Sequence, residues 1–140
     1  MSLVTERIED NVLYLELKAN ANDKVVFLGQ IDFDHVVSLL NASDIYCMPS
    51  VSEGMSTSVL EAIATETFVI TTYNGGAREL ITSDEYGIIT KGNTVEKTKQ
   101  ALQKALDKDY RDIAVKKAYV KLIDGFTWQR TAEKLESLID

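Results

Sequence analysis

Glu53 and Glu61 stand seven residues apart, with Gly54, Met55 and the hydroxyl run Ser56-Thr57-Ser58 between them. A short apolar stretch, Ile-Tyr-Cys-Met at 45–48, comes before them and is stopped by Pro49. This order reads as strand, polar loop, helix start. Small hydroxyl residues at a helix start leave its first N–H groups and positive end available to an anion such as a diphosphate. Each of these residues also has a plainer reading. Ser58 and Glu61 have capping-box spacing. Glu53 reads equally as a solvated loop carboxylate. The three hydroxyls read equally as caps worth about 1 kcal/mol, and cap and anion would compete for the same donors. If one helix carried both glutamates they would lie about 80° apart around it. Gly54 argues against that, so Glu53 is placed in the loop and Glu61 in the first turns of the helix. Gly75-Gly76 makes a second loop, which is either a tight turn or a close approach to a ligand.

The elements that position these residues alternate. Residues 11–19 suit a helix, although their apolar positions also alternate loosely as in a strand. Val25-Val26-Phe27-Leu28, bounded by Asp23 and Gly29, reads as a buried strand. Asp34 caps a helix with apolar positions Val36, Val37, Leu39, Leu40 and Ala42. Residues 45–48, 68–72 and 86–90 read as further strands, with a short helix over 77–81. The reading is an α/β, Rossmann-like, doubly wound parallel sheet of 4–5 strands with helices on both faces. The last fifty residues are a helical C-terminal extension. One helix there is capped by Asn93 and Glu96 and buries Leu102, Ala105 and Leu106. A second covers 110–123, with Ile113, Ala114, Ala118 and Leu122. The third is capped by Thr127 and carries Trp128, Ala132, Leu135 and Ile139 on one stripe. Both glycine-bearing loops then fall at the carboxyl ends of parallel strands, the edge where open α/β sheets bind ligands.

Composition narrows the function. Of 140 residues, 45% are hydrophobic and 26% charged, as expected of one soluble domain. The formal charge of −7 disfavours nucleic acid as a partner. The single cysteine, Cys47, excludes an internal disulfide and reads as a buried small apolar side chain. His35 is the only histidine, so a zinc site has little support. No apolar run approaches the length of a bilayer span. A cytoplasmic location is expected, with peripheral membrane attachment only through a larger parent.

The stretch from Pro49 to Ala64 resembles the glutamate, seven residues, glutamate motif of retaining glycosyltransferases of family 4, which have the GT-B fold. Further segments resemble the same family in order. They are residues 25–29, the approach Ala-Ser-Asp-Ile-Tyr at 42–46, Gly75-Gly76-Ala77-Arg78-Glu79-Leu80-Ile81, and Phe126-Thr127-Trp128. The resemblance implies that the whole chain is the C-terminal, donor-binding domain of a two-domain enzyme, cut at its N-terminal side. Glu53 would contact the donor sugar as the catalytic carboxylate, and Glu61 would hold the ribose. Gly54, Met55, Ser56, Thr57 and Ser58 would take the diphosphate, Gly29 would lie near the base, and Gly75 and Gly76 would add loop contacts. The substrate would be a nucleotide diphosphate-sugar, with no cofactor or metal, and the acceptor would be a saccharide or a lipid-linked group.

Three departures stand out. Glu66 and Phe68 occupy places where the family usually has glycine and proline, so an altered turn is expected there. Met55 replaces the usual phenylalanine. The Arg-Leu-x-x-x-Lys-Gly-like stretch that neutralises the diphosphate is absent, as is the acceptor domain. The fragment is therefore expected to be inactive alone, and its exposed domain interface could support a dimer. The alternative from another class is a non-catalytic, Rossmann-like interaction module that has lost the donor site.

Overall fold

A computed structural model of the chain describes residues 12–50, 54, 56–73 and 75–139. It forms two compact units, Met1–Val36 and Val37–Asp140, each described by itself.

In the first unit, α1 spans Val12–Asn20, as the helical reading of 11–19 expects. The expected strand at 25–28 does not form. Asn22 makes a local turn, accepting from Val25 N at its carbonyl (3.1 Å) and from Lys24 N at its side chain (3.0 Å). Val25, Val26 and Leu28 are exposed. A β-branched run becomes a strand only where a ladder partner and a covering face accept it, and here the turn commits its first amides instead. Gly29 follows at φ +66°.

Helix α2 spans Phe33–Asn41. Its cap is Asp32 rather than Asp34: the Asp32 carboxylate accepts from His35 N at 2.9 Å and meets His35 Nδ1 at 2.6 Å. Those bonds, the backbone one first, hold the Asp32 carboxyl below its usual range.

The second unit holds a parallel sheet in the order β1-β2-β3, formed by Ile45–Met48, Phe68–Thr72 and Ile88–Thr90. Ile45 pairs with Phe68, and Ile70 with Ile88. Three strands stand among the described residues instead of four to five, because the 25–28 run contributes none. Helices α3 (Thr57–Ala64), α4 (Ala77–Leu80), α5 (Val95–Ala105), α6 (Lys108–Gly125) and α7 (Trp128–Glu136) complete the unit. The layering is that of helices on both faces of a parallel sheet.

The central strand β2 is buried throughout, and its Phe68 and Ile70 form a core with Ile88, Ala101, Ala105 and Ala114. Helices α5 and α6 approach the sheet through alanines, so a small side chain lets each backbone come close. This corrects the expected burial of Leu102 and Leu106, which are exposed, as is Ile113. Tyr110 stacks edge-on against Phe68 with ring centroids 5.5 Å apart. Its hydroxyl donates to Asp84 O at 2.7 Å. Burial, then the Asp84 charge, pushes the phenol up to about 12.

Thr94, not Asn93, caps α5, and Asp107 caps α6. Thr127 caps α7 as expected, but α7 buries no residue, and Trp128, Leu135, Leu138 and Ile139 are exposed. Cys47 is exposed as well, contrary to expectation. It lies on the outer strand β1, where coverage ends, and its partial burial still raises the thiol pKa. Among the described residues no helix is long and apolar enough to cross a membrane.

Candidate functional site

Helix α3 begins just past the carboxyl end of β1. Ser56, its N-cap, has extended backbone (φ −74°, ψ 109°) and makes no side-chain cap bond. Its hydroxyl instead shares a 2.9 Å hydrogen bond with the Ser58 hydroxyl, and Met48 Sδ lies 3.4 Å from Ser56 Oγ and 3.5 Å from Ser58 Oγ, able to accept from whichever hydroxyl does not donate to the other. These two hydroxyls thus lock the helix start onto the last residue of β1. Ser56 therefore supplies no side-chain cap that would compete with an anion for the first amides of α3. The Ser58–Glu61 capping box is not formed, because the N-cap is Ser56, the helix starts at Thr57 and Glu61 lies past its first turn.

Glu61 is half-buried and faces a cleft of about 680 Å³. Thr57, Glu79, Phe126, Trp128 and Lys134 share that cleft. Two carboxylates therefore look into one space, in which they can accept paired hydroxyl hydrogen bonds.

The second loop comes to the same edge. Gly76 N donates to Gly54 O at 2.9 Å, tying the loop after β2 to the loop after β1. Thr72 Oγ1 donates to Ser50 O, and Thr71 Oγ1 to Met48 O at 3.1 Å, so buried threonines of β2 brace the same junction. Gly76 is right-handed (φ −69°, ψ −16°), so it does not need a glycine's left-handed freedom. Arg78 folds back over this turn. Its Nε donates to Gly75 O at 3.3 Å and its Nη1 to Tyr73 Oη at 3.0 Å, with the guanidinium 4.7 Å above the Tyr73 ring.

The far end of α3 closes with Thr67 N donating to Ala62 O (2.8 Å) and Glu66 N to Ile63 O (3.0 Å), a Schellman arrangement. Glu66 takes the left-handed position at φ 54°, the conformation a glycine would adopt freely.

Of the residues singled out in the sequence, Gly54, Ser56, Thr57, Ser58, Glu61, Gly75 and Gly76 gather at this edge. Glu53 and Met55 lie outside the described residues. Gly29 belongs to the first unit, where it is exposed and open, with nothing near a Cβ position. Sequence reasoning did not assign Glu79, Arg78 or Lys134 to the site. Glu79 and Arg78 stood inside a quoted motif, and their signal was that both follow the glycine pair on the first turn of a helix.

The Glycosyl transferases group 1 family matches residues 8–121 of the chain. A D-inositol 3-phosphate glycosyltransferase of Corynebacterium diphtheriae is 31% identical over 127 residues, covering 89% of this chain and 30% of that protein. An uncharacterised glycosyltransferase of Methanocaldococcus jannaschii is 26% identical over 121 residues, covering 85% of this chain and 31% of that one. Among solved structures, sucrose-phosphate synthase from Thermosynechococcus elongatus superposes with a TM-score of 0.78 at 25% identity, covering 89% of this chain and 32% of that chain. The C-terminal domain of a glycosyl transferase group 1 family protein from Francisella tularensis gives 0.72 at 26% identity, covering 83% of this chain and 61% of that one. The chain spans about a third of the length of the curated relatives it matches. With a family match across most of its length and the parallel sheet of these GT-B-type neighbours, the chain belongs to the glycosyl transferases group 1 family.

Proposed function

We propose that the chain forms the donor half of a retaining, metal-independent glycosyltransferase and binds a nucleotide diphosphate-sugar. The observation that carries this reading is the Gly76–Gly54 hydrogen bond. It joins two loops at the uncapped start of α3, beside the cleft that Glu61 faces. In the reaction, the bond between the anomeric carbon and the diphosphate oxygen breaks while one forms to an acceptor hydroxyl. That hydroxyl's proton passes to the departing nucleoside diphosphate. A helix N-terminus stabilises the departing diphosphate, and Glu61 accepts ribose hydroxyls. Glu53 would meet the sugar. The acceptor would be held by a second domain, so the chain alone would bind donor weakly and transfer nothing.

Titrating UDP and GDP sugars into ¹⁵N-labelled protein tests this. Amide shifts concentrated at 54–61 and 75–79 are expected, and shifts scattered elsewhere would sink the reading. A second reading, a non-catalytic interaction module, draws on Glu66 and Phe68 at places where the family usually has glycine and proline. It predicts no nucleotide-dependent shifts at all.

A further inference from the structure

Helix α6 buries one row of residues spaced four apart, Ala114, Ala118 and Leu122. The row two residues further on, Lys116, Val120 and Asp124, is turned about 200° from it and so points away from the fold. All three are exposed. Ile113 and Ile123 flank this outer row, and Ile113, Val120 and Ile123 are 59%, 52% and 47% exposed. Three branched apolar side chains on one helix face make a patch of the kind that another protein surface covers. The charges of this face are of two kinds. Asp112 is held by Lys108, whose hydrogen bond, more than the nearby Lys116 charge, lowers its carboxyl. Lys117 is paired with Glu85, and Asp109 sits in the first turn of α6, where the helix end favours a carboxylate. Lys121 leans back onto the fold, its Nζ donating to Thr82 Oγ1 at 3.0 Å and lying 4.7 Å above the Tyr86 ring. Lys116 and Asp124 make no ion pair among the described residues. They stand about 12 Å apart along the axis, too far to pair with each other. Opposite in sign, they lie about one turn to either side of Val120.

We propose that this face seats a second copy of the chain, with α6 packed antiparallel on the partner's α6 about a two-fold axis at Val120. In that register position 116 of one copy falls opposite position 124 of the other. Lys116 then meets the partner's Asp124, and Asp124 meets the partner's Lys116. A two-fold interface must complement itself, and a row that reads cation, apolar, anion does so only in the antiparallel sense. A parallel pairing would set like charges together. Val120 meets its own copy on the axis. Ile113 comes to the end of the partner's helix, where Tyr86, Val120 and Phe126 line a groove of about 690 Å³. Burial of the apolar side chains supplies the attraction, while the exposed charge pairs fix the register more than the strength.

The test is sedimentation equilibrium at low salt of the unmodified chain, of Lys116→Glu, of Asp124→Lys and of the variant carrying both changes. Circular dichroism establishes that each is folded. The unmodified chain is expected to dimerise as concentration rises. Each single reversal places like charges at both pairs and weakens the dimer about tenfold, an effect that added salt reduces. The double reversal restores the dimer. An equimolar mixture of the two single variants restores it as well, because in that heterodimer both pairs are again opposite in sign. A chain that stays monomeric at every concentration overturns the proposal. So do single reversals that dimerise as tightly as the unmodified chain, or a mixture that associates no better than its components. If only Trp128→Gln with Leu135→Gln dissociates the dimer, its seat is α7 and the assignment to α6 fails. The donor reading is untouched by any of these outcomes.

Discussion

At the scale of single residues, the site works through groups whose alternatives are used up. The Ser56 and Ser58 hydroxyls are engaged with Met48 and each other, so they do not cap α3. Glu61 is half-buried at a cleft, and Glu61→Gln should weaken nucleoside and nucleoside diphosphate binding alike by about tenfold, read by titration. Glu66 holds a left-handed turn position that costs an ordinary residue about 1 kcal/mol or more. Glu66→Gly should therefore raise stability by about 0.5–1 kcal/mol in urea unfolding, with the slope unchanged. Tyr110 has a phenol raised to about 12 in the folded state. Its contribution to stability is complete below the ordinary phenol range near pH 10 and is lost as pH rises toward 12. Unfolding midpoints of the unmodified chain and Tyr110→Phe, compared from pH 9 to 12, should converge as the phenol ionises. A constant gap across that range would refute this.

At the scale of elements, strands and helices hold the site by small-residue packing and by backbone approach. Gly87 enters β3 at φ +146°, and a Cβ there would meet Val69 O at 2.8 Å. Gly87→Ala should destabilise by about 2 kcal/mol or more, because both the dihedral and the backbone contact resist it. Helix α6 lies against its neighbours through Ala114 and Ala118, both buried. Ala114→Leu should cost about 1–3 kcal/mol by overpacking, measured by chemical denaturation. The same geometry explains why the alternation of strands and helices was legible while the burial of particular leucines was not. Periodicity locates a helix's apolar face. Which apolar residue meets the sheet depends on how close the backbones come, and here alanines win that place over Leu102, Leu106 and Ile113.

At the scale of the molecule, α7 leaves its apolar side chains in water, with Trp128 90% exposed. Substituting Trp128 and Leu135 by Gln should leave the chain's own stability within about 0.5 kcal/mol, because nothing in the described fold buries them. If that stripe mediates self-association, sedimentation of the same variant will show less of it than the unmodified chain.

The sequence by itself determined the element order from residue 45 onward, the family, and the edge where the loops meet. These depend on local signals: a β-branched run, a proline stop, hydroxyls before an apolar period, a glycine pair. Tertiary structure decided the rest, because each remaining outcome turned on a competitor outside its own segment. Residues 25–28 have strand composition but no ladder, and Asn22 takes the amides of Lys24 and Val25 into a local turn. Cys47 sits in an apolar run yet is exposed, on β1, an edge strand of the sheet among the described residues. Only the folded sheet brings the glycine loop after β2 beside the loop that carries Gly54.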